Sequence, residues 1–192
     1  MTTFVLATAN RHKVDEMRAV LTPLGVTLLD RPEDVAEVDE TGETLEENAL
    51  LKARALVEAT GDAAIADDTG LFVDALDGRP GVRSARYAGD AASDDENVTK
   101  LLDELRDVDQ RRARFVTVIA VAYPDGTEFN VEGELSGVIA LARAGDQGFG
   151  YDPVFVPDGD GRTLAELTMS EKNERSHRAR ALRALGEELA RR

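Results

Sequence analysis

The residues best suited to acid–base or metal chemistry are two neighbouring aspartates, Asp67 and Asp68, followed by Thr69 and Gly70. They come after the apolar segment 63–66, which predicts a short buried strand that ends at the aspartates. Carboxylates bind Mg²⁺ through one or two direct contacts, and a further carboxylate can take a proton from water. Because side chains alternate along a strand, we expect one carboxylate to point into a site. The alternative is a polar turn, in which Asp and Gly are common.

A second candidate site is the polar segment at the boundary between the first predicted strand and the first predicted helix. Its residues are Thr8, Ala9, Asn10, Arg11, His12 and Lys13. Free backbone N–H groups and the positive end of the helix dipole attract an anion there, and Lys13 adds charge, so the segment suits a triphosphate. Alternatively, Asn10 is only the helix N-cap and Lys13 a solvated side chain. The chain lacks a Walker A sequence and a complete Gly-x-Gly-x-x-Gly motif, which excludes the usual phosphate loops.

A glycine-rich loop in the last third of the chain carries two aromatic side chains. Its candidate residues are Phe149, Gly150, Tyr151 and Asp152. Aromatic rings on such a loop can offer a stacking face for a nucleotide base. The alternative is a packed loop with aromatic anchors.

Cationic side chains gather near the C-terminus, just before and inside the last predicted helix: Lys172, His177 and Arg178, with Ser176 between them. Lys and Arg there can bind phosphate, and His177 can read the edge of a base. A solvated helix start is the alternative interpretation, because exposed cations are ordinary.

Composition narrows the class of protein. The chain has 192 residues, no cysteine and a net charge of -15. This length fits one domain, spanning residues 1–192 and built of one or two lobes. The absence of cysteine excludes thiol nucleophiles and structural disulfides, and the acidity argues against a nucleic-acid surface. The longest apolar run, residues 115–123, is far shorter than the roughly 18 residues of a membrane span. We expect a cytoplasmic protein with no membrane or nucleic-acid partner.

The predicted elements mix helices and strands. Thr44 with Glu47 and Ser93 with Glu96 form capping boxes that predict helix starts. Two β-branched segments around Pro-Asp-Gly at residues 124–126 predict a hairpin. We therefore expect an α/β fold with a mixed central sheet flanked by helices, and two lobes with a central nucleotide-binding cleft.

Taken together, these segments resemble the inosine triphosphate pyrophosphatase family, also called Ham1-like. The matching pieces are residues 6–10 with Lys13, 47–49 with 52–53, 66–71, 80–81 with 84–89, 148–153 and 176–178. The resemblance covers nearly the whole chain. It implies a homodimer that, with Mg²⁺, hydrolyses non-canonical purine nucleoside triphosphates (ITP, dITP and XTP) to the monophosphate and pyrophosphate.

The resemblance also implies residue roles. Asp68 matches the general base and metal ligand, and Thr69 matches a substrate-contacting hydroxyl that is commonly serine. The segment 8–13 matches the triphosphate-binding part of the site. The remaining positions match nucleotide-binding residues, with the last two near the 6-oxo edge of the purine: Phe149, Gly150, Tyr151, Asp152, Lys172, His177 and Arg178. The resemblance also implies a second carboxylate that binds the metal, and its position in the family aligns nearer to Asp39 than to Glu40.

Three other functions remain open at this level. A pyrophosphatase for other modified nucleotides is the nearest alternative within the enzyme class. A non-catalytic nucleotide-binding regulator is disfavoured because Asp68 and the cationic residues are all present. A nucleic-acid-binding module is disfavoured by the net charge.

Overall fold

The computed structural model describes residues 2–36 and 38–192. The strands in this part of the chain are β1 Thr2–Leu6, β2 Val26–Leu29, β3 Ala64–Val73, β4 Pro80–Gly81, β5 Arg112–Ala122, β6 Glu128–Ile139 and β7 Phe155–Pro157. The α-helices there are α1 Arg11–Leu21, α2 Leu45–Thr60, α3 Asp94–Glu104, α4 Met169–Arg175 and α5 His177–Arg191. None of these helices has the length and apolar character needed to cross a bilayer.

The strands form one sheet in the order β2-β1-β3-β5-β6-β7, with β4 paired to β3. Strand β1 runs parallel to β2 and β3, whereas β4 is antiparallel to β3 and β7 is antiparallel to β6. The sheet is therefore mixed, and the predicted α/β class is confirmed.

The chain divides into two compact units. The first contains residues 1–68, 117–133 and 177–192, and the second contains residues 69–116 and 134–176. In the first unit α1 and α5 pack on each other, and their apolar faces join a core that includes Phe4, Met17 and Leu182. The second unit has its own core, which includes Leu101, Phe115 and Phe155. The predicted nucleotide-binding cleft stays a prediction.

Local sequence signals place several elements correctly. Both predicted capping boxes form: the Thr44 hydroxyl accepts from the Glu47 amide at the start of α2, and Ser93 and Glu96 do the same at α3. The predicted hairpin is present as β5 and β6. These signals work because each depends on residues only a few positions apart.

The prediction that a strand ends at Asp67 was wrong. Strand β3 continues through both aspartates to Val73, and both carboxylates are buried. Buried charges are tolerated inside a strand only when ion pairs and hydrogen bonds compensate their lost hydration. Those partners come from distant parts of the chain, so the local sequence gives no sign of them.

Candidate active site

Asp67 lies at the centre of a buried charge network in the first unit. This residue is 3% exposed, and its Oδ2 lies 3.0 Å from the Lys13 Nζ of α1 and 3.4 Å from the Arg178 Nε of α5. Arg178 is also buried, and its guanidinium donates to the buried carboxylate of Glu16 on α1. Two cations thus alternate with two carboxylates, and the network ties strand β3 to both helices.

The electrostatic surroundings keep Asp67 ionised. Burial alone would raise the pKa of this carboxyl, but the charges of Lys13, Arg178 and Lys52 outweigh burial and hold the pKa well below its usual range. Its second oxygen, Oδ1, is buried without a hydrogen-bond partner among the described residues. An ionised carboxylate with one uncommitted oxygen is suited to accept a further donor or a cation.

Asp68 has a different set of partners, supplied mainly by α2. The Asn48 Nδ2 donates to Asp68 Oδ2 at 3.2 Å, and the Lys52 Nζ lies 3.4 Å from Asp68 Oδ1 and 2.8 Å from Glu40. Asn48 and Lys52 are four residues apart, which places them on the same face of the helix. Asn48 is itself held in place because its Oδ1 accepts from the Gly42 amide at 2.8 Å.

The pKa of Asp68 is raised above its ordinary value. Burial is the main cause, Lys52 opposes it, and the nearby charge of Glu40 adds to the rise. For Lys52, burial lowers the pKa of the ammonium group. The charges of the three carboxylates Asp68, Asp67 and Glu40 outweigh burial, so this pKa is raised. The neighbouring aspartates therefore differ: Asp67 stays charged, whereas Asp68 has the higher pKa and is the stronger base of the two.

The oxygen ligands near Asp68 fit a hard divalent cation. Glu40 and Asp68 both contact one ammonium group, that of Lys52, so a single cation can reach both carboxylates. Among the described residues, no group of three or more acidic or histidine side chains is placed so that it could hold a metal ion. Two carboxylates agree with magnesium, which takes one or two from a protein and keeps water or phosphate as its other ligands. Asp39, the ligand predicted from sequence, is exposed, and its metal role stays a prediction beside Glu40.

The opening segment is ordered by its own hydrogen bonds. The Asn10 side chain accepts from the amides of His12 and Lys13 at 3.0 and 3.4 Å, so Asn10 is an N-cap, as in the alternative interpretation. The Thr8 hydroxyl accepts from the Asn10 amide at 3.1 Å. Lys13 is not merely solvated, because it pairs with Asp67. The triphosphate contacts predicted for this segment, including Ala9 and Arg11, stay predictions.

The glycine-rich loop lies in the second unit and is organised around Asp152. The Asp152 Oδ2 accepts from the Phe149 amide at 2.9 Å and from the Lys172 Nζ at 2.8 Å, and Asp152 and Lys172 are both buried. The Lys172 Nζ also lies 4.8 Å from the centre of the Phe149 ring, within range of a cation–π interaction. Gly148 is required here, because a Cβ atom would lie 2.1 Å from Asp152 Oδ2.

The two aromatic residues of this loop differ in exposure. Tyr151 is buried, and its hydroxyl donates to the Ser84 carbonyl at 2.8 Å. It is a packed anchor, as in the alternative interpretation. Phe149 is partly exposed, so it is the ring that suits base stacking.

His177 lies in the first unit at the start of α5. Its Nδ1 lies 2.6 Å from the hydroxyl of Thr117 on β5, and both side chains are buried. Gly133 on β6 permits the first turn of α5 to approach closely, because a Cβ atom there would lie 2.2 Å from the His177 carbonyl oxygen. The hydroxyl of Thr117 and the lack of a side chain at Gly133 thus set the position of His177.

Sequence reasoning assigned no role to Glu16, Asn48 or Lys52, although all three hold the central charged groups in place. The signal available for Asn48 and Lys52 was their four-residue spacing after a capping box. Glu16 follows Lys13 at helical spacing, but nothing local indicates that Arg178, 162 residues away in sequence, is its partner.

Known proteins resemble this chain in sequence and in fold. The sequence pattern of the Ham1 family matches residues 4–188. The chain is 50% identical over 191 residues to the dITP/XTP pyrophosphatase of Streptomyces coelicolor, covering 96% of each chain, and 46% identical over 189 residues to that of Bacillus subtilis, again covering 96% of each. A HAM1 protein from Coxiella burnetii has the same fold, with a TM-score of 0.92 at 41% identity over all of both chains. The chain belongs to the Ham1 family.

Proposed function

We propose that this protein is a nucleoside-triphosphate pyrophosphatase that hydrolyses non-canonical purine nucleotides, such as dITP, ITP and XTP, to the monophosphate and pyrophosphate. Relatives close to half identical over nearly their full length are named dITP/XTP pyrophosphatases. The observation that carries the proposal is the pair of neighbouring buried aspartates with unlike partners: Asp67 contacts Lys13 and Arg178, whereas Asp68 contacts Asn48 and Lys52.

Asp68 is the general base of the proposed reaction. It accepts a proton from a water molecule as the water oxygen forms a bond to the α-phosphorus, and the bond from this phosphorus to the bridging oxygen of pyrophosphate breaks. The cationic side chains of Lys13 and Lys52 stabilise the negative charge on the phosphates. General-base catalysis contributes about 10²- to 10⁴-fold, and charge stabilisation by positioned cations supplies much of the rest.

Magnesium is the cofactor of this proposal. Asp68 and Glu40 would hold the ion, with Asp39 as the alternative second ligand. When bound, magnesium neutralises charge on the phosphate oxygens and polarises them. Support comes from the oxygen-rich ligand set and from the shared contact of both carboxylates with Lys52.

We assign recognition of the purine base to residues whose side chains can stack on it or hydrogen-bond to it. Phe149 offers a ring for stacking, while Asp152 and Lys172 fix the loop that carries it. The resemblance assigns His177 and Arg178 to the 6-oxo group and the Thr69 hydroxyl to the substrate. The Arg178 guanidinium also donates to Asp67 and Glu16. An adenine amino group would face donors instead of acceptors, and each unpaired buried polar group costs about 1–3 kcal/mol.

The remaining parts of the proposal are a homodimer and a cytoplasmic location. Both rest on the sequence resemblance and composition.

A nucleotide panel tests the proposed function. Pyrophosphate release from ITP, dITP and XTP should greatly exceed release from ATP, and EDTA should abolish it. Equal kcat/KM for ITP and ATP would contradict the selectivity. Tight ITP binding with no pyrophosphate released from any nucleotide would instead identify a nucleotide-binding regulator.

A further inference from the structure

Two consecutive backbone amides of the glycine-rich loop are each held by a carboxylate. The Phe149 amide donates to Asp152, and the Gly150 amide donates to Asp94 Oδ2 at 2.7 Å. Asp94 comes from the first turn of α3, 56 residues earlier in the chain. All of these residues belong to the second unit. The backbone on both sides of the Phe149 side chain is therefore fixed by acidic residues.

A second tether joins Arg143, which precedes this loop in the connection between β6 and β7, to the same helix. The Arg143 Nη2 donates to the hydroxyl of Thr99 at 2.7 Å and to the Asp95 carbonyl at 3.0 Å, and the guanidinium lies 3.0 Å from the Asp95 carboxylate. The first two turns of α3 thus contact the connection between β6 and β7 at two places, Arg143 and Gly150.

The Asp94 carboxylate is not needed to cap its helix. Ser93 is the N-cap of α3, and its side chain and that of Glu96 form the complete capping box. Asp94 is the next residue, and its carboxylate accepts from the Gly150 amide of the loop. Gly150 has a φ of +60°, a left-handed conformation that the Asp94 contact helps to maintain.

We propose that Asp94 is a positioning residue that fixes the Gly150 amide and so orients the Phe149 ring for stacking on the substrate base. This inference rests on the proposed function, because it needs a nucleotide substrate. It assigns to α3 a part in base binding but none in phosphate chemistry.

Three variants isolate the contact. Asp94→Ala removes the acceptor, whereas Asp94→Asn keeps a side-chain oxygen that can accept from Gly150. Asp103→Ala is the matched control, because it removes a carboxylate of the same helix that pairs with the exposed Arg106. Arg143→Ala loosens the other tether and provides a second test should Asp94→Ala fail to fold.

The measurements are KM and kcat for ITP, the inhibition constant of inorganic triphosphate, and hydrogen exchange of residues 148–150. Asp94→Ala should raise KM about three- to tenfold, the range expected for loss of one hydrogen bond, with kcat within about twofold. The inhibition constant should not change, because inorganic triphosphate has no base. Hydrogen exchange should be faster in Asp94→Ala and Arg143→Ala but unchanged in Asp103→Ala, and Asp94→Asn should restore KM.

Two results would overturn the inference. One is unchanged KM and unchanged hydrogen exchange in Asp94→Ala. The other is an equal rise in KM and in the inhibition constant, which would show a general loss of structure. A wild-type protein that releases no pyrophosphate would overturn the proposed function instead, and hydrogen exchange in Asp94→Ala would then decide the role of Asp94 in holding the loop.

Discussion

Replacing Asp67 by asparagine tests whether its carboxylate holds the first unit together by balancing buried positive charge. The substitution keeps the size and shape of the side chain and removes one negative charge. Its cationic partners, Lys13 and Arg178, come from helices α1 and α5. In the Asp67→Asn variant, Glu16 would remain as the carboxylate paired with the buried guanidinium of Arg178.

The expected loss of stability follows from burial. Breaking a buried ion pair by removing one partner costs about 3–5 kcal/mol, because the other charge is left uncompensated. The Arg178 side chain is 2% exposed and cannot regain water, whereas the Lys13 side chain is 20% exposed and can turn partly outward. We therefore expect the lower end, about 3 kcal/mol, which for a chain of this size lowers Tm by about 6–12 °C.

Thermal unfolding followed by circular dichroism measures this effect, with Asp30→Asn as the matched control. Asp30 pairs with Arg18 on the same helix α1, but the two side chains are 71% and 41% exposed. Exposed pairs of this kind contribute at most about 1 kcal/mol. Equal Tm values for the wild type and Asp67→Asn, or equal losses in both variants, would refute the reasoning from burial.

Two further predictions concern the start of α5. Thr117→Val removes the hydroxyl that hydrogen-bonds His177 and should lower the free energy of unfolding, measured by urea titration, by about 1–3 kcal/mol. Thr117→Ser keeps the hydroxyl and should stay close to wild type. A valine variant as stable as the serine variant would contradict this prediction. Gly133→Ala should cost about 1–3 kcal/mol or more, because its Cβ meets the backbone of α5, whereas Gly161→Ala, with no atom within 4 Å of its Cβ, should cost little. A tolerated alanine at Gly133 would show that the helix can move away without loss.

The sequence predicted most of the fold because its strongest signals are local. Capping boxes such as that of Thr44 and Glu47 and the hairpin turn at residues 124–126 each act within a few residues. The strand through Asp67 could not be predicted in the same way. Its partner Arg178 is 111 residues away, and only the folded chain shows that the charge is compensated.

For the candidate site, the sequence indicated residue types but not their contacts. The sequence singled out Asp68, Lys13 and Arg178 by residue type and by resemblance. It did not distinguish Tyr151, a buried anchor, from Phe149, and it favoured Asp39 where the structure brings Glu40 to Lys52. Such distinctions depend on burial, which residue type alone does not determine.

The most direct test of the central claim is pyrophosphate release from ITP, with Mg²⁺, by the wild type and by Asp68→Asn. Asparagine cannot accept the proton, so Asp68→Asn should lower kcat by about 10²- to 10⁴-fold while the fold remains intact. Asp30→Asn should retain full activity. An Asp68→Asn protein that releases pyrophosphate at the wild-type rate would contradict the account.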